Sequence, residues 1–307
     1  TSYYREDWGF CLTHRAYQDL EDGEYEVLVD SKLEDGVLNW GELLIEGESR
    51  DEVLITTHVC HPSMCNDNLS GIGVATHLAK LLATAHPRYS YRFLFIPGGI
   101  GSIVWMSQTP HALERVRHGL VLNCLGDPNG FTYKLSRRAD AEIDRAAQVA
   151  LRDAGKPFKV IDFSPYGYDE RNLCSAKYNL PVGSISRSTH SSFPGYHSSG
   201  DNFDLMAPER LADSLGMILS VLRVLEENRT FLNLIPEAEP QLGKRGLYGL
   251  KGGLQRRAPI EVALLWVMNM SDGGRSLLDI AERSGLPFGE LAHAAGLLEE
   301  KDILRAL

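Results

Sequence analysis

Between residues 51 and 235, short hydrophobic runs alternate with amphipathic stretches. Three runs, over residues 53–57, 92–96 and 120–124, have the length and composition of strands that are covered on both faces. Apolar residues recur at helical spacing in three further stretches: 69–82, 139–154 and 207–227. This alternation predicts one α/β domain over residues 51–235, with a mostly parallel, twisted sheet flanked by helices.

The first 50 residues carry a different pattern. Residues 24–30 alternate apolar and charged side chains with period two, as a half-buried strand does. A turn that ends at Gly36 precedes a second apolar segment over residues 38–45. We therefore predict a small β-rich subdomain over residues 1–50.

Residues 236–307 predict a linker followed by a helical module. From residue 241 to 257 the chain is rich in glycine and carries five basic residues and no acid. Three short helices are then predicted, over residues 260–270, 276–284 and 288–300. Ser276 and Asp279 have the spacing of a capping box, and Gly285 suits the exit of the second helix. This arrangement resembles a winged-helix module.

The charge of the chain argues against nucleic acid and membranes as partners. The 307 residues carry a net charge of −10, so a positive field that would attract phosphates is lacking. No apolar run reaches the ~18 residues that span a bilayer. From residue 258 to the end, eight acidic residues outnumber four basic ones, and the predicted third helix has no Lys or Arg. We expect this module to mediate protein contacts or a homo-oligomer.

The cysteines indicate free thiols. There are five of them, an odd number, and no pair has CxxC spacing: Cys11, Cys60, Cys65, Cys124 and Cys174. Neither a disulfide framework nor a thiolate zinc site is therefore expected, and we predict a cytoplasmic location.

Polar clusters follow three of the predicted strands. His58, His61 and Asp67 lie within ten residues after the first strand, Asp127 follows the third, and His197 lies in a loop after a short strand at 182–185. Ligands of open α/β sheets bind at the carboxyl ends of strands, and imidazole and carboxylate are the groups that hold a hydrolytic zinc. The layout is that of a metallohydrolase.

Several motifs carry a resemblance to a known family. The segments at 67–71, at Asp127 and at 197–201 resemble the zinc aminopeptidase superfamily, which includes glutaminyl cyclases. Residues 3–12, 60–62 and 167–171 are similar to a bacterial group of aminopeptidase-like domain proteins with an inserted β-domain and a C-terminal winged helix.

The resemblance implies roles for individual residues. Asp67 would bridge two zinc ions or serve one, Asp127 would bind one metal and His197 the other. The remaining imidazole ligand would be His58 or His61. Asp169 would support the site through hydrogen bonds. The superfamily also implies chain upstream of Thr1, about one small subdomain in length.

One position departs from the family pattern. The superfamily has two consecutive glutamates, a general base and a metal ligand, where this chain has Gly98 and Gly99. Glu170 is our candidate for the replacement base, and the alternative for Glu170 is a salt bridge with Arg171. Without the second glutamate, we expect one tightly held zinc rather than two. The glycine-rich segment also suggests backbone amides that receive a substrate carboxylate or an oxyanion.

The sequence leaves two classes of function open. The first is a zinc-dependent hydrolase of an amide bond in a small peptide or an amide-bearing small molecule, with an N-deacylase of polysaccharide or natural-product biosynthesis as a variant. The second is a catalytically degenerate metal-binding scaffold whose winged helix contacts a partner protein or DNA, of which the acidic charge of the module favours the protein.

Overall fold

The computed structural model describes residues 5–32, 34–247 and 259–307. The chain divides into two units, Thr1–Val37 and Leu38–Leu307. In the first unit the described residues form one short helix, α1 (His14–Gln18), whose N-terminus is capped by the Thr13 side chain.

The prediction of a β-rich subdomain over residues 1–50 is wrong. Residues 24–30 form no strand, and the described residues of this unit provide no strand to pair with them. A strand without a partner leaves its backbone groups unpaired and is not stable by itself. The second predicted strand does form, but it belongs to the main sheet of the other unit.

The second unit contains a sheet of seven strands among its described residues. The strands are β1 (Gly41–Ile45), β2 (Glu52–His58), β3 (Ser90–Ile96), β4 (Val116–Leu122), β5 (Phe131–Lys134), β6 (Phe158–Ile161) and β7 (Val182–Ser186). Their order is β1-β3-β2-β4-β7-β5-β6. Strands β3, β2, β4 and β7 are parallel, whereas β1 and β5 run antiparallel to β3 and β7.

Helices cover both faces of this sheet. They are α2 (Ser70–Leu82), α3 (Ile100–Gln108), α4 (Pro110–Leu113), α5 (Glu142–Asp153), α6 (Glu170–Leu173) and α7 (Pro208–Glu227). Val53 and Ile55 of β2 pack in one core with α2, α5 and α7, while Leu54 packs with Trp105 of α3 on the opposite face. The predicted α/β architecture with a mainly parallel sheet is confirmed. None of the helices in the described ranges has the length and hydrophobicity that a membrane span requires.

The C-terminal module combines a small sheet with three helices. Its elements are β8 (Thr230–Asn233), α8 (Pro259–Met270), β9 (Asp272–Ser276), α9 (Leu277–Ser284), α10 (Phe288–Glu299) and β10 (Leu304–Ala306). The strand order is β10-β8-β9, so the module begins at β8, before the predicted boundary at residue 236. The capping box forms, since the Asp279 backbone N–H donates to Ser276 Oγ and the Ser276 N–H donates to the Asp279 carboxylate. Residues 248–258 of the predicted linker lie outside the described residues.

Candidate metal centre

The loop after β2 brings an imidazole onto a buried carboxylate. His58 is the last residue of β2, and Asp67 lies in the tight turn Cys65–Leu69 that precedes α2. His58 Nε2 lies 2.7 Å from Asp67 Oδ1, and the two side chains are 3% and 1% exposed. A carboxylate removed from water to this degree requires compensating partners.

Two further imidazoles approach the other oxygen of the same carboxylate. His197 Nε2 lies 3.1 Å from Asp67 Oδ2, and His61 Nε2 lies 3.6 Å from it. The rings of His61 and His197 are in contact, with 4.7 Å between their centroids. His58, His61 and Asp67 each offer a ligand atom within 4.8 Å of the other two. Three imidazoles therefore surround one carboxylate, and the structure brings both His58 and His61 to it.

The electrostatics of the cluster keep Asp67 ionised. Burial acts to raise the pKa of Asp67, but the hydrogen bond with His58 and the charges of the three imidazoles hold that pKa below its usual value. Burial, together with His197 and His58, lowers the pKa of His61, although Asp67 acts in the opposite direction. A lowered pKa keeps the His61 ring neutral near pH 7, which is the form that binds metals.

Asp201 holds the backbone of this loop. One of its carboxylate oxygens accepts the Asn66 N–H at 2.6 Å, and the other accepts the Asp67 N–H at 2.8 Å. The side chain is almost fully buried. Asp201 belongs to the segment 197–201 that carries the family resemblance, but no role for it was predicted. Its spacing of four residues from His197 was the available signal.

The structure does not bring Asp127 into the imidazole cluster. Its carboxylate accepts hydrogen bonds from Ser188 Oγ at 2.8 Å, the Asn129 N–H at 3.0 Å and Asn66 Nδ2 at 3.0 Å. Across the described residues, no hydrogen bond or ion pair joins Asp127 to Asp67 or to the three histidines. Asp127 thus holds Asn66 beside Asp67, and no contact among the described residues supports its predicted role as a metal ligand.

The backbone amides of Gly98 and Gly99 are already occupied. The Gly98 N–H donates to Cys60 Sγ at 2.9 Å, and the Gly99 N–H donates to Asp169 Oδ1 at 2.8 Å. The expectation that these amides receive a substrate group is therefore wrong. A Cβ atom at position 98 would lie 2.7 Å from Cys60 Sγ, so the thiol fills the space that a side chain there would need. Burial raises the pKa of Cys60 and keeps it a thiol.

Asp169 presents one unpaired oxygen next to these glycines. Its Oδ1 accepts from Gly99 and from Ser102 Oγ, whereas its buried Oδ2 has no hydrogen-bond partner among the described residues. Burial raises the pKa of Asp169, and the two donors only partly offset this. A carboxylate thus stands beside the residues that replace the glutamate pair.

Glu170 forms a buried ion pair with Lys134. It is fully buried, and its Oε1 accepts from Lys134 Nζ at 2.8 Å and from the Tyr168 N–H at 3.2 Å. Lys134 Nζ also donates to the carbonyl oxygens of Ser164 and Tyr166. The ion pair that was the alternative for Glu170 therefore exists, but with Lys134 rather than with Arg171.

Aromatic rings flank two of the imidazoles. The Tyr168 ring stacks on His58 with 5.0 Å between centroids, and the Tyr196 ring stacks on His197 at 4.0 Å. The Tyr168 hydroxyl contacts Cys124 Sγ at 3.2 Å. Burial raises the pKa of Tyr196 to about 12, so its phenol stays protonated at neutral pH. These rings restrict how the imidazoles can turn.

The donor set fits a zinc ion. Zinc with bonds of about 2.0–2.2 Å in tetrahedral geometry keeps its ligand atoms about 3.3–3.6 Å apart. The distance from His61 to Asp67, 3.6 Å, lies in this range, whereas His58 at 2.7 Å and His197 at 3.1 Å are within hydrogen-bond distance of Asp67. Nitrogen and carboxylate donors are also the types that hydrolytic zinc sites use. His58, His61 and Asp67 are the residues that lie close enough together to hold it, and His197 adjoins them through Asp67.

The α/β domain has the fold of aminopeptidases. Its structure is similar to a zinc aminopeptidase from Bacillus subtilis, with a TM-score of 0.51 over 61% of this chain and 49% of that chain, at 16% identity. It is also similar to an aminopeptidase from an Aneurinibacillus strain, with a TM-score of 0.51 at 14% identity, over 61% of this chain and 47% of that one. At such identities the likeness concerns the fold alone.

The family follows from closer matches. Residues 10–228 match a family described as a domain of unknown function, DUF4910, and residues 229–306 match a winged helix-turn-helix family. The chain belongs to the DUF4910 family. The predicted winged helix is confirmed.

A relative from Clostridium acetobutylicum is 49% identical over 99% of this chain and 70% of its own length. It is provisionally named a polysaccharide biosynthesis protein with an aminopeptidase-like domain. A crystal structure of a provisionally named peptidase from the same organism has a TM-score of 0.92 and 47% identity, over all of this chain and 69% of that one. The predicted likeness to aminopeptidase-like domain proteins is thereby confirmed.

Proposed function

We propose that this protein is a zinc-dependent hydrolase of an amide bond. The observation that carries the proposal is the convergence of three imidazoles on the buried carboxylate of Asp67. The aminopeptidase fold and the name of the Clostridium relative support the same class of chemistry. Bound zinc would polarise the scissile carbonyl and lower the pKa of water toward ~7.

The chain itself supplies the ligands and the parts that orient them. Asp201 fixes the backbone of the ligand loop, and Tyr168 and Tyr196 hold the rings of His58 and His197. This preorganisation reduces the reorganisation that metal binding and catalysis would otherwise require.

We assign the proton transfer to Asp169 rather than to Glu170. Asp169 and Glu170 each have one buried oxygen without a hydrogen-bond partner among the described residues, so this feature does not separate them. Asp169 lies against Gly99, where the superfamily carries a carboxylate. A pKa raised by burial brings a carboxyl closer to the range in which it both takes and releases protons near neutral pH. Glu170 is engaged by Lys134, which makes it a structural ion pair.

A second candidate function specifies the class of substrate. The name of the Clostridium relative places it in polysaccharide biosynthesis, which favours an N-deacylase that removes an acyl group from an amino sugar. A peptide substrate fits the same hydrolytic chemistry. The winged helix would then serve protein contacts or a homo-oligomer, because its sequence is acidic.

The test compares two carboxyl variants of the zinc-loaded full chain. Asp169→Asn should retain zinc and lower the turnover of an amide substrate by ~10²–10⁴, which is the contribution of a general base. Asp140→Asn, an exposed position, serves as the control and should change neither property. The substrates are leucine p-nitroanilide and N-acetylglucosamine, which separate the two candidates.

Three outcomes would contradict the proposal. Wild-type protein that binds no zinc would contradict it, and so would a zinc-loaded protein that hydrolyses no amide. The latter result would favour the metal-binding scaffold. An Asp169→Asn variant with full turnover would remove the assignment of the base.

A further inference from the structure

A cavity opens at the edge of the sheet, beside the loop that follows β7. It has a volume of about 540 Å³ and lies where the starts of β5 and β6 meet residues 187–192. Its walls include Asn129, Phe158, Lys159, Ser188, Thr189 and Ser192. Small-molecule sites have volumes of about 300–1,000 Å³, so this cavity has the size of a ligand site.

The chemistry of the walls selects the class of ligand. Hydroxyl and amide groups dominate the polar lining, and no carboxylate of the described residues belongs to it. The Phe158 ring is 39% exposed and offers a flat apolar face. Lys159 is exposed, and the described part of the chain contains no ion pair for it.

These features favour a negatively charged sugar over a peptide N-terminus as the ligand. Without a carboxylate from the described residues, the cavity has no negative group to pair with the ammonium group of a peptide N-terminus. The hydroxyl groups of Ser188, Thr189 and Ser192 already donate within the protein, so they offer acceptor lone pairs to the hydroxyl groups of a sugar ring. Lys159 favours a negative charge on that ring. Arg187 lies in the wall too, but its guanidinium is engaged by Asp213.

The cavity is connected to the candidate metal centre through one loop. His190, between Thr189 and Ser192, packs edge-on against Tyr168, which stacks on His58. On the other side of the loop, Ser188 donates to Asp127.

The distance between the two sites follows from the sheet. Strand β2, which carries His58, is separated from β7 by β4 alone, and β5 is the next strand beyond β7. Neighbouring strands lie ~4.8 Å apart, and the cavity lies at β5 and β6, three and four strands from β2. The two sites are therefore about 14–19 Å from each other across the sheet. An elongated substrate would reach both.

We propose that this cavity binds the negatively charged saccharide portion of an amide-bearing substrate. The proposal rests on the proposed function, because it places the amide of that substrate at the Asp67 cluster. It adds a recognition site and a substrate class.

The experiment measures binding to the full chain without metal, so that hydrolysis plays no part. The probes are N-acetylglucosamine 1-phosphate and N-acetylglucosamine. Their binding is measured by isothermal titration calorimetry and saturation-transfer NMR in the presence of a chelator. We expect a Kd of about 1 mM or tighter for the phosphorylated sugar and weaker binding of the neutral one.

Three substitutions separate the contribution of the Lys159 charge from that of the Phe158 ring. Lys159→Ala should weaken the phosphorylated sugar by about tenfold and leave the neutral sugar unchanged. Phe158→Ala should weaken both sugars by a similar factor. Val160→Ala is the matched control, because Val160 lies on the same strand with 37% exposure but does not line the cavity, and it should change neither.

Specific results would overturn this proposal. They are the absence of binding for both sugars, an equal effect of Val160→Ala and Phe158→Ala, and inorganic phosphate that binds as tightly as the sugar phosphate. A protein that hydrolyses peptides but binds no sugar would refute the saccharide site and leave the hydrolase proposal standing. A protein that binds the sugars through these residues but hydrolyses no amide would refute the hydrolase proposal and leave the saccharide site standing.

Discussion

The substitution Lys134→Met should strongly destabilise the protein, because it removes one member of a buried ion pair. Lys134 is 7% exposed, and its ammonium group donates to Glu170 and to the carbonyl oxygens of Ser164 and Tyr166. Methionine has a similar length but no donor. Glu170, which is fully buried, would keep only the Tyr168 N–H as a partner among the described residues.

The magnitude follows from the cost of an uncompensated buried charge. Removing one member of a buried ion pair destabilises a protein by about 3–5 kcal/mol. For a large domain, each kcal/mol lowers the melting temperature by about 2–3 °C, so the expected change is about 6–15 °C. The double variant Lys134→Met/Glu170→Leu removes both charges and should recover part of this loss, because apolar replacements of buried pairs are often tolerated.

Thermal unfolding of the metal-free protein at pH 7 provides the assay. Arg223→Met is the matched control, because Arg223 pairs with Glu227 on an exposed helix face, and an exposed pair contributes about 0–1 kcal/mol. The reasoning is refuted if Lys134→Met lowers the melting temperature no more than Arg223→Met does. It is also refuted if the double variant is less stable than Lys134→Met.

Three other changes test separate parts of the structure. Burial raises the pKa of Asp169 above its value in the unfolded chain, so the wild-type protein loses stability as the pH rises and Asp169 ionises. The melting temperature of Asp169→Asn, relative to that of the wild type, should therefore increase between pH 4 and neutrality. A difference that stays constant over this range would contradict the prediction. Gly98→Ala should cost less than about 1 kcal/mol, because the Cys60 thiol that it meets is exposed and can rotate away, and Gly98→Ala/Cys60→Ala should be more stable than the single variant in urea unfolding. Ser276→Ala should cost about 1 kcal/mol in the same assay, because the Asp279 N–H at the start of α9 loses its acceptor.

Long periodic segments could be predicted well from the sequence. The helices predicted over 69–82 and 207–227 end where α2 and α7 end, because both have an apolar face that the sheet buries. The capping residues Ser276 and Asp279 located α9, since a cap is a local interaction between neighbouring residues. By contrast, β5 and β6 have four residues each, which is too short for a period to be visible.

Contacts between distant residues could not be predicted in this way. Glu170 and Lys134 are separated by 36 positions, and only the folded chain shows that they form a pair. Residues 24–30 have the alternation of a strand, but strand formation depends on a partner that the local pattern does not reveal. The carboxylate of Asp127 follows a strand as expected, yet the direction in which it bonds is fixed by Asn66 and Ser188.

The central claim is that Asp67 and the imidazoles around it form a zinc site. Anomalous scattering at the zinc absorption edge, measured on crystals of the zinc-loaded full chain, tests this claim most directly. We predict one strong peak about 2.0–2.2 Å from an Asp67 oxygen and from nitrogens of at least two of His58, His61 and His197. The absence of a peak at this position, or a peak only at other residues, would contradict the account.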